Sequence, residues 1–345
     1  MHHIGDYCGD AELVRRYIPR TRLAIFSLLL CLFVILSGGW LYSRYEPIQS
    51  AADCTSVETF DPTNSTCYYE CETEEACARL AKQVDTELDA FFKNSQTKSN
   101  EQAGDGRPAD SKNEVIFTNG NGILQPKPNN RQAALWALFQ KIASNDISKQ
   151  TVDTFSVFDD DQNATAAAVW RSEQPKKWHV TVNQAYDNEP KDLIHTLVHE
   201  YGHILTLSED QVPSAVTGSC PTLSLQEGCA AQSAYITEFS KRYWQRYDKK
   251  APKNDGEDQD EVQRFYNQNG KDQTFVSEYA ATNLTEDMAE SFASFVLQSK
   301  PSGTKTVDKK IAFYYEYPAL VRERERIRTA LAKELGSRQM LRTTR

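Results

Sequence analysis

The run Leu197-Val198-His199-Glu200-Tyr201-Gly202-His203 limits what this chain can fold into more than any other stretch of it. Histidines four residues apart lie on one face of a helix, so both rings can reach a single metal at about 2.0–2.1 Å. Glu200 then stands beside the open metal position as a general base. The flanks read as helix: Leu193, Ile194, Leu197, Val198, Tyr201, Ile204 and Leu205 recur at helical spacing, and Pro190-Lys191-Asp192 make a start. Two histidines in so apolar a helix need hydrogen bonds or neutralisation, and a metal satisfies both.

A catalytic zinc takes three protein ligands and keeps a position for water. The third ligand does not follow the pattern directly, because Thr206 and Glu209 stand where a HExxHxxGxxH sequence has Gly and His. His195 lies eight residues from His203, about 12 Å along the axis, and cannot share one metal with both histidines. The segment from Tyr279 to Ala293 offers more. Asn283 or Thr285 can cap a helix there, Glu286 and Glu290 project a turn apart, and Ala289, Phe292, Ala293 and Val296 form a compact apolar stripe. We read Glu286 as the third ligand and Glu290 as the acceptor of a hydrogen bond from a ligand histidine. An ordinary acidic helix start, favoured by the helix dipole, is the alternative the residues leave open.

HExxH on one helix with a glutamate on a later one resembles the gluzincin class of zinc metallopeptidases, and more closely the small bacterial HEYGH peptidases and the catalytic domain of anthrax lethal factor. Tyr279 stands seven residues before Glu286, as in those proteins. The resemblance covers the region 114–300 and implies a zincin-like domain, Zn2+ as cofactor and a protein or peptide as substrate. It also implies that Tyr279 donates its hydroxyl to the oxyanion of the tetrahedral intermediate; a tyrosine packed in the core is the plain alternative. The long interval between His203 and Glu286, with a cysteine pair and an acidic segment, departs from that class and is tolerable as an insertion between helices.

Leu23–Tyr42 is a run of 20 residues without charge, enough to cross a hydrocarbon core of about 30 Å. Arg15, Arg16, Arg20 and Arg22 precede it, so the positive-inside rule puts residues 1–22 in the cytoplasm and the bulk of the chain outside. A cleaved signal peptide is the rival, disfavoured by the long polar leader and the length of the apolar run. The cysteines agree: Cys54, Cys67, Cys71, Cys77, Cys220 and Cys229 fall outside, an even number in an oxidising compartment. Separation suggests that Cys220 pairs with Cys229 and the first four among themselves. A structural zinc at Cys67, Cys71 and Cys77 is the less regular alternative.

The organisation expected is therefore a cytoplasmic segment 1–22, a membrane anchor 23–42, a Cys-rich membrane-proximal segment 43–93, a flexible linker 94–113 and a metallopeptidase domain 114–345. Strands are expected to open 114–124 and to cover 154–158, 165–171 and 177–186. Helices are expected at 131–144, through the HExxH run, and at 225–248, 258–268, 285–299 and 308–335. A small sheet followed by helices makes an α+β domain. Asp159, Asp161 and Asn163 begin like a calcium loop, but Ala164 and Trp170 replace its glycine and closing glutamate, so a hairpin turn is expected there. Net charge −9 excludes the basic footprint that nucleic acid requires. The C-terminal arginines, Arg322, Arg324, Arg326 and Arg328 among them, read as a solvated helix face. A zinc peptidase outside the membrane is the expected function. A noncatalytic, disulfide-stabilised binding or adhesion ectodomain with a structural zinc is the alternative.

Overall fold

Apolar residues at every second position line one face of a five-stranded sheet, in the order β4-β3-β5-β7-β6. Its strands are β3 (Val115–Gly120), β4 (Ile123–Gln125), β5 (Val152–Phe158), β6 (Ala167–Arg171) and β7 (Trp178–Asn183). Phe117, Phe155, Val180 and Val169 form one row across it, all buried. Helix α1 (Asn130–Ala143) packs on that row, with Trp136 5.0 Å from Phe155 between ring centroids. β5 and β7 run parallel and the remaining pairs are antiparallel, so the chain is α+β with a small mixed sheet. The computed structural model describes residues 58–61, 66–69, 79, 82, 85, 86, 88–92, 113–215, 218–252 and 258–343. The anchor 23–42, most of the linker, and Cys54, Cys71 and Cys77 lie outside these residues. Cys67 falls on strand β2 (Thr66–Tyr69), which pairs with β1 (Glu58–Asp61). Among the described residues no helix is long and apolar enough to cross a membrane.

Contacts divide the chain into a unit of residues 88–331 and a second of 1–87 with 332–345. In the first, the short α2 (Asn145–Thr151) leads into β5, and a 3-10 turn (Gln184–Asn188) separates β7 from α3 (Pro190–Thr206), the HExxH helix. Four further helices follow: α4 (Tyr235–Tyr243), α5 (Gln259–Gln268), α6 (Leu284–Leu297) and α7 (Thr306–Phe313). The last is α8 (Pro318–Thr343).

Several expectations are corrected. The turn at 159–164 does not join a hairpin, because β5 and β6 flank β7 instead of pairing. Asn183, at the end of β7, donates to Asp160 O at 2.8 Å and Thr165 O at 3.2 Å, holding the crossing turn over the strand it passes. The helix expected at 225–248 shrinks to α4. Its first part is a two-strand hairpin, Ser224–Leu225 with Gly228–Cys229, whose second strand opens at Gly228 with φ 149°, where a Cβ would lie 2.1 Å from Pro213 O. The helix expected at 308–335 breaks because Pro318 disfavours helical backbone at the residue before it; Tyr317 is extended. Of the four described C-terminal arginines, three turn into the protein instead of forming a solvated face. Arg328 is buried and donates to Val296 O at 2.9 Å, and Arg324 donates to Phe295 O at 2.7 Å, satisfying last-turn carbonyls of α6 that have no partner within the helix. Arg326 does the same for Lys141 O in α1 at 3.0 Å. Arg322 alone of the four is exposed.

Helices α3 and α6 meet at Gly202, where an added Cβ would stand 3.0 Å from Phe292 Cδ1. Phe292 is fully buried, so it has little room to give. Overpacking costs about 1–3 kcal/mol, against up to about 1 kcal/mol gained by removing a glycine from a helix. Gly202→Ala should therefore lower stability by up to about 2 kcal/mol, the difference between those two effects. Denaturant midpoints measure it, and a midpoint at or above that of the native chain would show that the helices have slack.

Candidate metal centre

The backbone places the site before any side chain is considered. Helix α3 presents His199 and His203 on one face, and α6 lies against it with Glu286 in its first turn. Asn283 starts α6, its side chain accepting from Glu286 N at 2.9 Å. Of the two caps the sequence allows, this one sets where Glu286 begins. Among the described residues, His199, His203 and Glu286 bring ligand atoms within 4.8 Å of one another. His199 Nε2 lies 3.0 Å from His203 Nε2 and 3.0 Å from Glu286 Oε2, and His203 Nε2 lies 3.4 Å from the same oxygen. Ligands at 2.0–2.1 Å on tetrahedral vertices are separated by about 3.3–3.4 Å, so the triangle has the size a small divalent cation requires.

Glu286 Oε2 is the telling atom. It is buried and accepts no hydrogen bond among the described residues, although two imidazole nitrogens face it. A buried oxygen left this way carries a substantial desolvation cost, which a cation between it and the two rings removes. The donor set of two imidazoles and a carboxylate suits zinc.

Glu290 supports the site from behind. His199 Nδ1 lies 2.9 Å from Glu290 Oε1, so a proton on Nδ1 is held by the carboxylate and Nε2 keeps its lone pair for a metal. The other oxygen of Glu290 accepts from Ser277 Oγ at 2.7 Å. His195 Nδ1 stands 4.0 Å from Glu290 Oε1 and outside the ligand triangle. Glu200 is buried on α3 between the two ligand histidines. Tyr279 lies on a 3-10 turn (Tyr279–Ala281), its ring 5.8 Å from that of His199 between centroids.

Burial pushes His199 down, but the two carboxylates beside its ring, Glu286 and Glu290, outweigh it and raise the group well above the usual histidine range. Burial pushes Glu286 up, yet His203 and His199 hold it well below the ordinary carboxylate range. Glu290 is likewise pushed up by burial and brought down to about 2 by the charge of His195 and hydrogen bonds from His199 and Ser277. Burial lowers His195, only partly offset by Glu290. Two buried carboxylates thus demand positive charge at the His199 ring, from a proton or from a metal.

Cys220 and Cys229 are joined, with an S–S distance of 1.99 Å, in the segment between α3 and α4. Arg171, at the end of β6, ties that segment to the sheet by bonding Glu209 at 2.5 Å and the carbonyls of Leu207 and Val212. Ser277 and Asp287 are the residues near the site that sequence reasoning passed over. Neither belongs to a periodic pattern or a motif, and only the packing of the loop and of α6 gives them partners. The chain matches no protein-family model, no curated protein and no solved structure.

Proposed function

We propose that this chain is a zinc metallopeptidase of the gluzincin kind, with a zincin-like domain held outside the membrane by the anchor at 23–42. The observation that carries the reading is the orphaned Glu286 Oε2 facing His199 Nε2 and His203 Nε2 across a triangle of metal-binding size. His199, His203 and Glu286 would hold the ion. Bound zinc would supply Lewis acidity, polarising the scissile carbonyl and lowering the pKa of a water towards about 7.

The protein's own groups divide the remaining work. Glu200, beside the ligand histidines, takes the proton from the attacking water and returns it to the departing amine. Tyr279 donates its hydroxyl to the oxyanion that replaces the carbonyl. Glu290 holds His199 in the tautomer and orientation that ligation needs. Strand β6 is a sheet edge packed beside α3 and suits an extended peptide that adds to the sheet as a further strand.

Glu200→Gln keeps the size of the side chain and removes the base. Zinc content should be unchanged while cleavage of a peptide library falls by at least about 10²-fold. Tyr279→Phe should also keep its zinc and lose about 10²–10³-fold in kcat. Equal cleavage by the Glu200→Gln variant and the native chain would remove the peptidase reading. A native chain that binds zinc and cleaves nothing in the library would favour the noncatalytic ectodomain.

A further inference from the structure

Outside the ligand triangle, one serine connects the two halves of the site. Ser277 is buried, and both of its hydrogen-bonding roles are taken. Its hydroxyl donates to Glu290 Oε2 at 2.7 Å, and its oxygen accepts from the backbone N–H of Ala280 at 3.0 Å. The first bond reaches through Glu290 to the Nδ1 of His199. The second closes the turn that carries Tyr279, whose neighbours Ala280 and Ala281 are fully buried.

A carboxylate that holds a ligand histidine can rotate about its last torsion, which is broad and roughly two-fold. Oε1 alone therefore does not settle the plane of Glu290. A second hydrogen bond, on Oε2 and from a side chain anchored to the backbone, does. Ser277 Oγ, which makes that bond, also accepts from the turn at Ala280 N–H, so the orientation of His199 and the placement of Tyr279 depend on one atom.

We propose that Ser277 is a positioning residue of the metal centre. It touches neither the metal nor the substrate. Through Glu290 it sets the ring of His199, and through Ala280 N–H it sets the turn bearing Tyr279, so metal affinity and oxyanion stabilisation are coupled in this chain. The inference rests on the zinc peptidase reading above.

The test compares Ser277→Thr with Ser277→Val in the full-length chain. Their side chains have the same shape and differ by the hydroxyl, so any general effect of bulk at this position appears in both. Zinc affinity is read by competition with a chromophoric chelator. Ser277→Val should bind about 10-fold more weakly than Ser277→Thr, the low end of what loss of an outer hydrogen bond costs a metal site. In a Glu290→Gln background the Thr–Val difference should shrink to less than about 2-fold, since residues that act through one another are not additive. Turnover should carry the second signature: the loss in kcat on Tyr279→Phe should be smaller in the Val variant than in the Thr variant. A native chain that takes up no zinc overturns the peptidase reading and this coupling together. Tight zinc binding by the native chain with equal affinities for Thr and Val, or a full Thr–Val difference retained with Glu290→Gln, overturns the coupling alone.

Discussion

His203→Ala should empty the metal site. The purified chain, loaded with zinc and freed of excess, should hold close to one zinc, and the variant less than about 0.2 per chain, because two remaining ligands do not retain the ion against a chelator. Elemental analysis of folded protein makes the measurement. Glu286→Gln should give the same result, since a neutral amide replaces the only anionic ligand and the one whose Oε2 is left without a hydrogen bond. His195→Ala should keep its zinc: His195 is on the same helix, yet it faces Glu290 at 4.0 Å and lies outside the triangle. Loss of zinc with His195→Ala and its retention with His203→Ala would reverse the ligand assignment.

The largest effect on stability is expected at a buried pair that takes no part in the chemistry. Lys310 Nζ lies 2.6 Å from Asp287 Oδ2 with both side chains fully buried, and 3.9 Å from the centroid of the Phe275 ring. Trp244 Nε1 donates to the same Asp287 oxygen at 2.6 Å. Burial raises Asp287 and lowers Lys310, and in each case the partner only partly restores the charged form. Such a pair adds little over an apolar core, but removing one member leaves a buried charge without its partner. Lys310→Met should therefore cost about 3–5 kcal/mol, read from urea unfolding at neutral pH. Adding Asp287→Leu should return part of that loss, leaving chiefly the cost of a Trp244 N–H without an acceptor, about 1–3 kcal/mol. A Lys310→Met variant within about 1 kcal/mol of the native chain would mean that Asp287 is already neutral there.

The candidate metal centre was legible in part in the sequence, where its determinants are local. The four-residue spacing of His199 and His203 is a property of helix geometry, and so is the one-turn spacing of Glu286 and Glu290. The helix at 284–297 could be read from its cap and its apolar stripe, and the strands from alternation. Elements whose ends are set by distant contacts were read less well. The helix expected at 225–248 yields in its first part to a disulfide-linked hairpin, and Arg324, Arg326 and Arg328, polar by composition, turn inward to the ends of α1 and α6.

The sequence by itself determined the two helices, His199 and His203 as potential ligands and the pairing of Cys220 with Cys229, since each follows from short-range spacing; for Glu286 it left an ordinary acidic helix start as the alternative. Only the tertiary structure decided that α3 and α6 approach closely enough at Gly202 for Glu286 to meet both histidines. The same is true of Glu290, which turns to His199 and is held there by Ser277, and of Asp287, which points the other way to Lys310. These depend on which faces of separate helices are buried against each other, and no spacing along one chain segment encodes the contact between two.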